Sequence, residues 1–282
     1  MPEAHGWTDI QRRRLKELDA GPEDIDARFD TAEARNRAFL AVETRLKRQA
    51  RGRLGAFLAT GLRPRLCLLE TLLVETLNRL GFAQVVTPIV ISGAHLARMS
   101  IDDAHPLSRQ VFWIDGRRCL RPMLAPNLYS LMVDLGRVAE RPVRFFEIGP
   151  CFRKESYGAR HSSEFTMLNL VEMGLPPEAR LDRLRELGGT VAEAAGITDY
   201  RFERESSEVY GDTLDVVAGE EGVEIASGAM GPHPLDAAWR VTDTWVGLGF
   251  GLERLVMVAQ GGGTLGRWGR SLAYLDGIRL NL

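Results

Sequence analysis

Two short segments of the sequence carry the side chains best suited to chemistry. They supply, in order, Arg153, Glu155, His161, Phe165 and Arg254. Arginine can make paired hydrogen bonds to phosphate oxygens, an aromatic ring can stack on a purine, and a carboxylate can accept from an exocyclic amine. This combination predicts a site for a bent nucleoside triphosphate. The sequence contains no GxxxxGK[ST] segment, so a P-loop is not expected to bind the phosphates.

The first of these segments follows a predicted strand. Residues 143–152 are largely apolar, and the alternation of a strand places Arg153 and Glu155 on one face. The polar loop that follows contains His161, and Phe165 begins the partner strand. Two simpler interpretations stay open, namely an ion pair between Arg153 and Glu155 and an exposed loop histidine at His161.

A further carboxylate, Glu224, lies in the apolar run 223–229, and Ser227 follows three positions later. In a regular strand these two side chains point to opposite faces, and a bulge or a turn would bring them together. Mg²⁺ bound to phosphates commonly takes one or two protein carboxylates. Glu224 and Ser227 are therefore candidate Mg²⁺ ligands, and the alternative is a plain surface carboxylate at Glu224.

Glycines alternate along the segment that leads to Arg254. Gly247, Gly249 and Gly251 fall on one face of a predicted strand, which leaves room for a ligand against the backbone. Arg254 then falls in the first turn of a short helix, where a cation is unfavourable for the helix dipole. This position favours a phosphate-binding role for Arg254, whereas Glu253 is interpreted as structural.

The composition describes an ordinary globular chain. Its 282 residues are 45% hydrophobic and 26% charged, with a formal net charge of −2, which excludes a strongly basic coat protein. Three cysteines without metal-ligand spacing indicate reduced packing residues. The polar first residues are unlike a signal peptide and no apolar run reaches membrane-spanning length, so we expect a cytoplasmic protein with no membrane partner.

The charge is uneven along the chain. Residues 44–65 contain seven lysines or arginines and no acid. Such a cluster is typical of a phosphate-tracking surface for nucleic acid, and the alternative is a solvated helix face followed by a linker.

Capping residues and prolines divide the chain into two predicted domains. Thr8 and Thr31 are expected to cap helices, and Pro64 begins the next helix, 65–80. We therefore predict a helical extension over 1–64 and a second domain over 65–282. Within the second domain, 82–91 reads as a strand, and 110–114 and 117–121 flank a hairpin turn. Hairpins rather than βαβ repeats dominate, which predicts an α+β domain whose antiparallel sheet is flanked by helices.

Several strings resemble one enzyme family. The segment 82–88 after its helix resembles motif one of the class II aminoacyl-tRNA synthetases, and the segments around Arg153 and Arg254 resemble motifs two and three. Longer strings resemble the pyrrolysyl-tRNA synthetases within that class; they are 121–129, 152–156, 164–169, 209–213 and 249–254. The resemblance implies the class II catalytic fold and an ATP-dependent ligase. That ligase would join pyrrolysine, through an aminoacyl-adenylate, to the 3′ end of its cognate tRNA.

The resemblance also implies an ATP site with bound Mg²⁺. Arg153 would hold the α-phosphate and the amino-acid carboxylate, and with Arg254 it would be catalytic. Glu155 would accept from the adenine amine, Phe165 would stack on adenine, and His161 would join Arg254 on the outer phosphates. The Mg²⁺ ligands would be Glu224 and Ser227.

The amino-acid pocket would have apolar walls and one polar side chain, Asn169, that recognises the substrate. Asn169 would donate to the side-chain amide oxygen of pyrrolysine, and Tyr210 would cover the pyrroline ring as a lid. The remaining lining residues implied by the resemblance are Ala125, Leu128, Tyr129, Met132, Val171, Trp245 and Gly247.

Partners follow from the resemblance and from the charge cluster. The family implies a homodimer formed through motif one. Arg45, Lys47, Arg48 and Arg51 are the candidate tRNA-binding residues. The chain resembles the short bacterial type, in which a separate small tRNA-binding protein supplies the RNA-binding domain, or the archaeal type that lacks this domain altogether. The segments 226–233 and 271–277 resemble the bacterial type more closely. The alternatives are a synthetase of the same fold for another large apolar amino acid or another acceptor, and a non-catalytic tRNA- or amino-acid-binding paralogue.

Overall fold

The structure is a computed structural model that describes residues 5–154 and 162–282. The chain forms two compact units. One unit extends to Pro64 and includes Gly266–Leu282, and the other is Arg65–Leu265.

The described helices, in chain order, are α1 (Asp9–Glu17), α2 (Pro22–Ile25), α3 (Ala32–Ala59), α4 (Arg65–Arg79), α5 (Gly93–Arg98), α6 (Ala125–Val138), α7 (Arg180–Ala194), α8 (Asp236–Trp239), α9 (Leu252–Ala259) and α10 (Leu265–Trp268). Short 3₁₀ turns occupy Pro106–Gln110 and Pro177–Ala179.

The described strands, in chain order, are β1 (Ala83–Gln84), β2 (Val90–Ser92), β3 (Arg118–Leu120), β4 (Val143–Phe152), β5 (Glu164–Met173), β6 (Tyr200–Ser207), β7 (Gly211–Ala218), β8 (Val223–Gly231), β9 (Trp245–Gly251), β10 (Tyr274–Leu275) and β11 (Ile278–Arg279).

The N-terminal unit is mainly helical, because capping residues precede its helices and its apolar residues recur at helical spacing. Thr8 caps α1 in a capping box with Gln11, and Thr31 caps α3 by accepting from the amide of Ala34. The helices enclose a small core that contains, among others, Trp7, Leu15, Leu18 and Leu46.

The final residues belong to this N-terminal unit, whereas the sequence analysis assigned them to the second domain. Leu282 packs against the small helical core, and Arg267 and Arg279 pair with Asp19 and Glu17. These contacts join residues more than two hundred positions apart in sequence. Local sequence patterns therefore gave no signal for them.

The second unit is built on a sheet with the strand order β1-β4-β5-β9-β8-β7-β6. Neighbouring strands are antiparallel except that β1 runs parallel to β4. The α7 and α9 helices cover one face of the sheet, and α4 packs against both of them. The α6 helix contacts β5. This is the predicted α+β architecture, an antiparallel sheet flanked by helices.

One predicted strand and one predicted hairpin of this unit differ from the sequence expectation. Residues 82–91 form only β1 and the beginning of β2, because Pro88 lies between them and cannot donate to a ladder. The expected hairpin around Asp115 is present in short form. Its arms share the bridge between Trp113 and Cys119 and backbone hydrogen bonds from the amide of Ile114 to Arg118 and from the amide of Leu120 to Phe112, and β3 also pairs with β2.

One core of the second unit lies between the sheet and α5, α6 and α8. Burial there raises the pKa of Cys119 to about 11 and that of Cys151 to about 12, so both are neutral thiols at physiological pH. This agrees with packing roles for these two cysteines. No described helix is long and apolar enough to cross a membrane.

Candidate active site

A row of side chains crosses the middle of the sheet. Asn169 on β5 is paired with Gly249 on β9, Gly249 with Ser227 on β8, and Ser227 with Asp215 on β7. Directly paired residues point to the same face of a sheet. In this row, only Gly249 lies between Asn169, which is predicted to bind the substrate amide, and Ser227, a predicted Mg²⁺ ligand.

This face of the sheet forms the floor of a cavity of about 510 Å³. Every predicted amino-acid-binding residue lines it, as do those predicted ATP-site residues that the structure describes. The amino-acid set is Ala125, Leu128, Tyr129, Met132, Asn169, Val171, Tyr210, Trp245 and Gly247. The ATP-site set is Arg153, Phe165, Glu224, Ser227 and Arg254. Glu155 and His161 lie outside the described residues.

The apolar end of the cavity has an aromatic wall. Tyr129 stacks on Trp239 at a centroid distance of 5.4 Å and meets the edge of Trp245 at 5.8 Å. Burial raises the pKa of the Tyr129 and Tyr210 phenols, so both rings are neutral at physiological pH. A chamber with such walls suits a large, uncharged side chain.

Asn169 is the polar group at this end. Its buried Oδ1 has no hydrogen-bond partner among the described residues. A β-carbon at Gly249 would lie only 3.1 Å from Asn169 Nδ2, so the glycine leaves space for this amide. A buried acceptor without a donor costs free energy, and an N–H group of a ligand amide could satisfy this oxygen. The predicted donation from Asn169 to a ligand oxygen would come from Nδ2.

The opposite end of the cavity carries the arginines. Arg153 donates from Nε to the carbonyl of Pro122 at 2.9 Å, and its guanidinium carbon lies 5.3 Å from the centre of the Phe165 ring. Arg254 donates from Nη1 to the carbonyl of Glu224 at 2.7 Å. Backbone contacts thus hold both guanidinium groups at a cavity wall, which suits the binding of phosphate oxygens.

A β-bulge brings Glu224 and Ser227 to the same cavity. Val216 pairs with Ala226 but Val217 pairs with Glu224, so Ile225 is an extra residue in β8. Because of this extra residue, the side chains of Glu224 and Ser227 point to the same face of the sheet, as the sequence analysis required for two ligands of one ion. Ser227 donates to Asp215 at 2.7 Å, which leaves the lone pairs of its oxygen for a cation.

The donor set fits Mg²⁺ of the kind that is bound mainly by phosphates. Glu224 offers a half-exposed carboxylate, and Ser227 offers a hydroxyl oxygen oriented by Asp215. The described residues contain no cluster of three or more His, Cys, Asp or Glu side chains that could hold a metal alone. Phosphate and water oxygens would have to complete the coordination.

Comparison with known proteins decides the family. Residues 60–263 match the family of tRNA synthetases class II core domain (F). The crystal structure of a pyrrolysyl-tRNA synthetase from Desulfitobacterium hafniense superposes with a TM-score of 0.90 at 52% identity, over 98% of this chain and 99% of that one. A second structure from that organism, PylSc, gives a TM-score of 0.89 at 50% identity, over 100% and 98% of the two chains. The chain belongs to the pyrrolysyl-tRNA synthetase family.

A curated relative is more distant. The lysylphosphatidylglycerol biosynthesis bifunctional protein LysX of Mycobacterium ulcerans (strain Agy99) is 34% identical over 123 residues, which are 43% of this chain. The match spans about a tenth of the length of that relative. It indicates a shared segment of sequence and no more.

Sequence reasoning missed two buried carboxylates of this synthetase site. Asp236 accepts from Tyr129 at 3.2 Å and from Trp245 Nε1 at 3.0 Å, and so orients two walls of the chamber. Asp215 orients Ser227. An acidic residue within the otherwise apolar run 214–218 was the available signal for Asp215. Asp236 gave no such signal, because Tyr129 lies more than a hundred positions away in sequence.

The predicted tRNA-binding cations of the synthetase differ in their surroundings. Arg45 pairs with Asp24 at 2.6 Å, and Lys47 pairs with Glu43 at 3.1 Å. Arg48 and Arg51 are exposed. The expectation of a cluster without a neutralising acid was therefore wrong for Arg45, Lys47 and also Arg53. Glu43 lies one turn before Lys47 in the same helix, whereas the fold brings Asp24 to Arg45 and Asp19 to Arg53.

Proposed function

We propose that the chain uses ATP to activate pyrrolysine and then transfers it to the 3′ end of its cognate tRNA. The row from Asn169 through Gly249 to Ser227 carries the proposal. It joins a chamber for a large uncharged side chain to a wall of phosphate-binding groups within a single cavity. A ligase that condenses an amino acid with ATP needs both groups of contacts side by side.

In the first step the substrate carboxylate attacks the α-phosphorus of ATP. An oxygen–phosphorus bond forms, the bond to the bridging oxygen breaks, and pyrophosphate leaves. In the second step a ribose hydroxyl of the terminal tRNA adenosine attacks the activated carbonyl, and AMP leaves. No side-chain nucleophile is required, so the protein acts by positioning the reactants and by stabilising charge.

The arginines perform the electrostatic part. Arg153 lies beside Phe165, where a stacked purine would bring the α-phosphate within its reach. Arg254 would contact the outer phosphates, with Glu224 and Ser227 holding Mg²⁺ as class II synthetases generally require. When bound, that ion would neutralise charge on the phosphates. Glu155 and His161, which lie outside the described residues, remain proposed contacts to adenine and the outer phosphates.

Substrate selection rests on Asn169 within apolar walls. A buried amide whose oxygen lacks a partner favours a substrate that carries its own amide. Tyr210, Trp245 and Tyr129 enclose the remainder of the side chain. These features support pyrrolysine, whose long side chain ends in an amide-linked ring, over a small or charged amino acid.

The proposal includes two protein-level features. The α4 helix buries Leu69, Leu73 and Leu77 but leaves Leu68 and Leu72 exposed, which supports a homodimer through this helix. The exposed Arg48 and Arg51 support tRNA binding by the N-terminal unit. A separate small tRNA-binding protein is proposed as a partner from the resemblance to the short bacterial type alone.

Pyrophosphate exchange tests the activation step. Purified protein with ATP, Mg²⁺ and labelled pyrophosphate should incorporate label into ATP when pyrrolysine is present and should show only background label with lysine or phenylalanine. Aminoacylation of the cognate tRNA should follow the same preference. Exchange that is supported equally well by other large amino acids would contradict the substrate, and no exchange with any amino acid would contradict the activity.

A further inference from the structure

The hairpin between β6 and β7 carries Tyr210 over the cavity. Residues 208–210 connect Ser207 to Gly211, which are paired at the end of the two strands. Gly211 has a φ of +62°, a conformation that glycine adopts without strain, and Ser207 accepts from the amide of Tyr210 at 2.8 Å. These contacts shape the turn itself, but they do not fix it to the cavity wall.

Two histidines from distant parts of the second unit reach this turn. His105 Nε2 lies 3.2 Å from the carbonyl oxygen of Glu208. His233 Nε2 lies 2.6 Å from the carbonyl oxygen of Tyr210. The two histidines therefore contact carbonyls on either side of Val209.

The two contacts are built in the same way. Each histidine begins a His-Pro-Leu tripeptide, at 105–107 and at 233–235. The Nδ1 atom of His105 accepts from the amide of Leu107 at 3.1 Å, and that of His233 accepts from the amide of Leu235 at 3.2 Å. An accepting Nδ1 requires the neutral tautomer with its proton on Nε2. Each ring therefore donates to the turn carbonyl.

The tripeptide explains why each ring is well placed. A residue before proline is restricted to extended conformations, and His105 has a φ of −69° and a ψ of 134°. Each leucine packs on the core between the sheet and α5, α6 and α8, with Leu235 inside it and Leu107 against it. The leucine fixes the tripeptide to the rigid part of the unit, and the histidine extends from it to the turn.

We propose that His105 and His233 are positioning residues that hold the Tyr210 hairpin over the amino-acid end of the cavity. The kinetic test of this inference rests on the proposed function, because it measures pyrophosphate exchange with pyrrolysine. Its consequence is a lid that is already positioned before the amino acid binds, so less ordering is required on binding.

Asparagine and glutamine substitutions separate the two bonds of each ring. In His233→Asn the amide oxygen can still accept from Leu235, but no donor reaches Tyr210. In His233→Gln the amide nitrogen lies near the original Nε2 and can still donate. The same pair of substitutions applies to His105, and His5→Asn in the N-terminal unit is the matched control because His5 is exposed.

In pyrophosphate exchange we expect His233→Asn to raise KM for pyrrolysine about three- to tenfold, the range for loss of one neutral hydrogen bond. The increase for His105→Asn should be smaller, and the double variant should show the largest. KM for ATP and kcat should stay within about twofold, and His233→Gln should recover at least half of the loss. In a Tyr210→Ala background His233→Asn should have no further effect on KM.

Three kinetic outcomes would overturn the inference, given a wild type that exchanges pyrophosphate with pyrrolysine. They are an unchanged KM for pyrrolysine in the double Asn variant, equal increases in both KM values, and an undiminished effect in the Tyr210→Ala background. The last two would show that the histidines act through the general stability of the fold.

Hydrogen exchange measured by mass spectrometry tests the hairpin without any activity. Amides of a peptide that covers 206–211 should exchange faster in the double Asn variant, and those of α7 should not. Unchanged exchange at 206–211 would contradict the inference. If the wild type lacks activity with pyrrolysine, the proposed function fails, and this measurement still decides the role of the histidines.

Discussion

Arg121 and Glu147 form a buried ion pair, with Nη1 of the arginine 2.7 Å from Oε1 of the carboxylate and exposed fractions of only 2% and 1%. Thr87 donates to both carboxylate oxygens through its amide and hydroxyl, at 3.1 and 2.7 Å. Glu147 is the cross-strand partner of Asn169. The pair therefore supports the strand that carries Asn169, on the same face of the sheet.

The first prediction concerns the stability of this pair. Arg121→Met should lower the free energy of unfolding by about 3–5 kcal/mol, because it leaves a buried carboxylate without its cation. Chemical denaturation would measure the loss. Arg118→Met is the control, because Arg118 pairs with Asp115 at the exposed surface, and the midpoint of that variant should stay close to wild type. Equal midpoints for the two variants would contradict the prediction.

The second prediction concerns Arg153. A folded Arg153→Ala variant should lose about two to three powers of ten in the rate of pyrophosphate exchange, because in the proposed reaction the guanidinium would contact charge that develops at the α-phosphate. Circular dichroism would establish that the variant is folded. Near-normal exchange by such a variant would remove Arg153 from the reaction.

The third prediction concerns the selection of the amino acid. Asn169 and Val171 both line the chamber, so replacing both with alanine should open space and remove the polar reader. The double variant should activate bulky aromatic amino acids that the wild type rejects, and it should activate pyrrolysine less well. A pyrophosphate-exchange panel measures both changes. Unaltered preference for pyrrolysine would mean that the pocket lies elsewhere.

The fourth prediction concerns tRNA. Arg48 and Arg51 are exposed, so their double alanine variant should weaken tRNA charging and reduce the dependence of tRNA binding on salt by about one unit of slope for each lost contact. Pyrophosphate exchange should not change. The control is Arg137→Ala, an exposed arginine of the second unit. Parallel losses in charging and exchange would indicate damage to the fold, and a loss in neither would leave the cations without this role.

The fifth prediction concerns the oligomer. Light scattering at micromolar concentration should show twice the chain mass of 31.3 kDa. Replacing the exposed Leu68 and Leu72 with glutamate should shift the mass toward the monomer, because the charges cannot be buried in an apolar interface. A wild type that scatters only as a monomer would refute the homodimer.

The sequence by itself determined the features that depend on local periodicity and on residue type. The β4 strand begins at the predicted residue, Val143, and ends at Phe152, and Thr8 and Thr31 cap helices as expected. Strand alternation placed the glycines of β9 on one face, and the motif strings identified the family. These features depend on neighbours within a few positions, where backbone preference and side-chain spacing act directly.

Only the tertiary structure decided the features that depend on distant contacts. The bulge at Ile225 turns Glu224 toward Ser227, and no local signal fixes which residue of a strand is left unpaired. The role of Asp236 as a shared acceptor follows from Tyr129, more than a hundred positions away. His105 and His233 meet the Tyr210 turn because the fold brings three separate segments together. Burial and pairing across such separations depend on the packing of the whole chain, which short sequence windows do not contain.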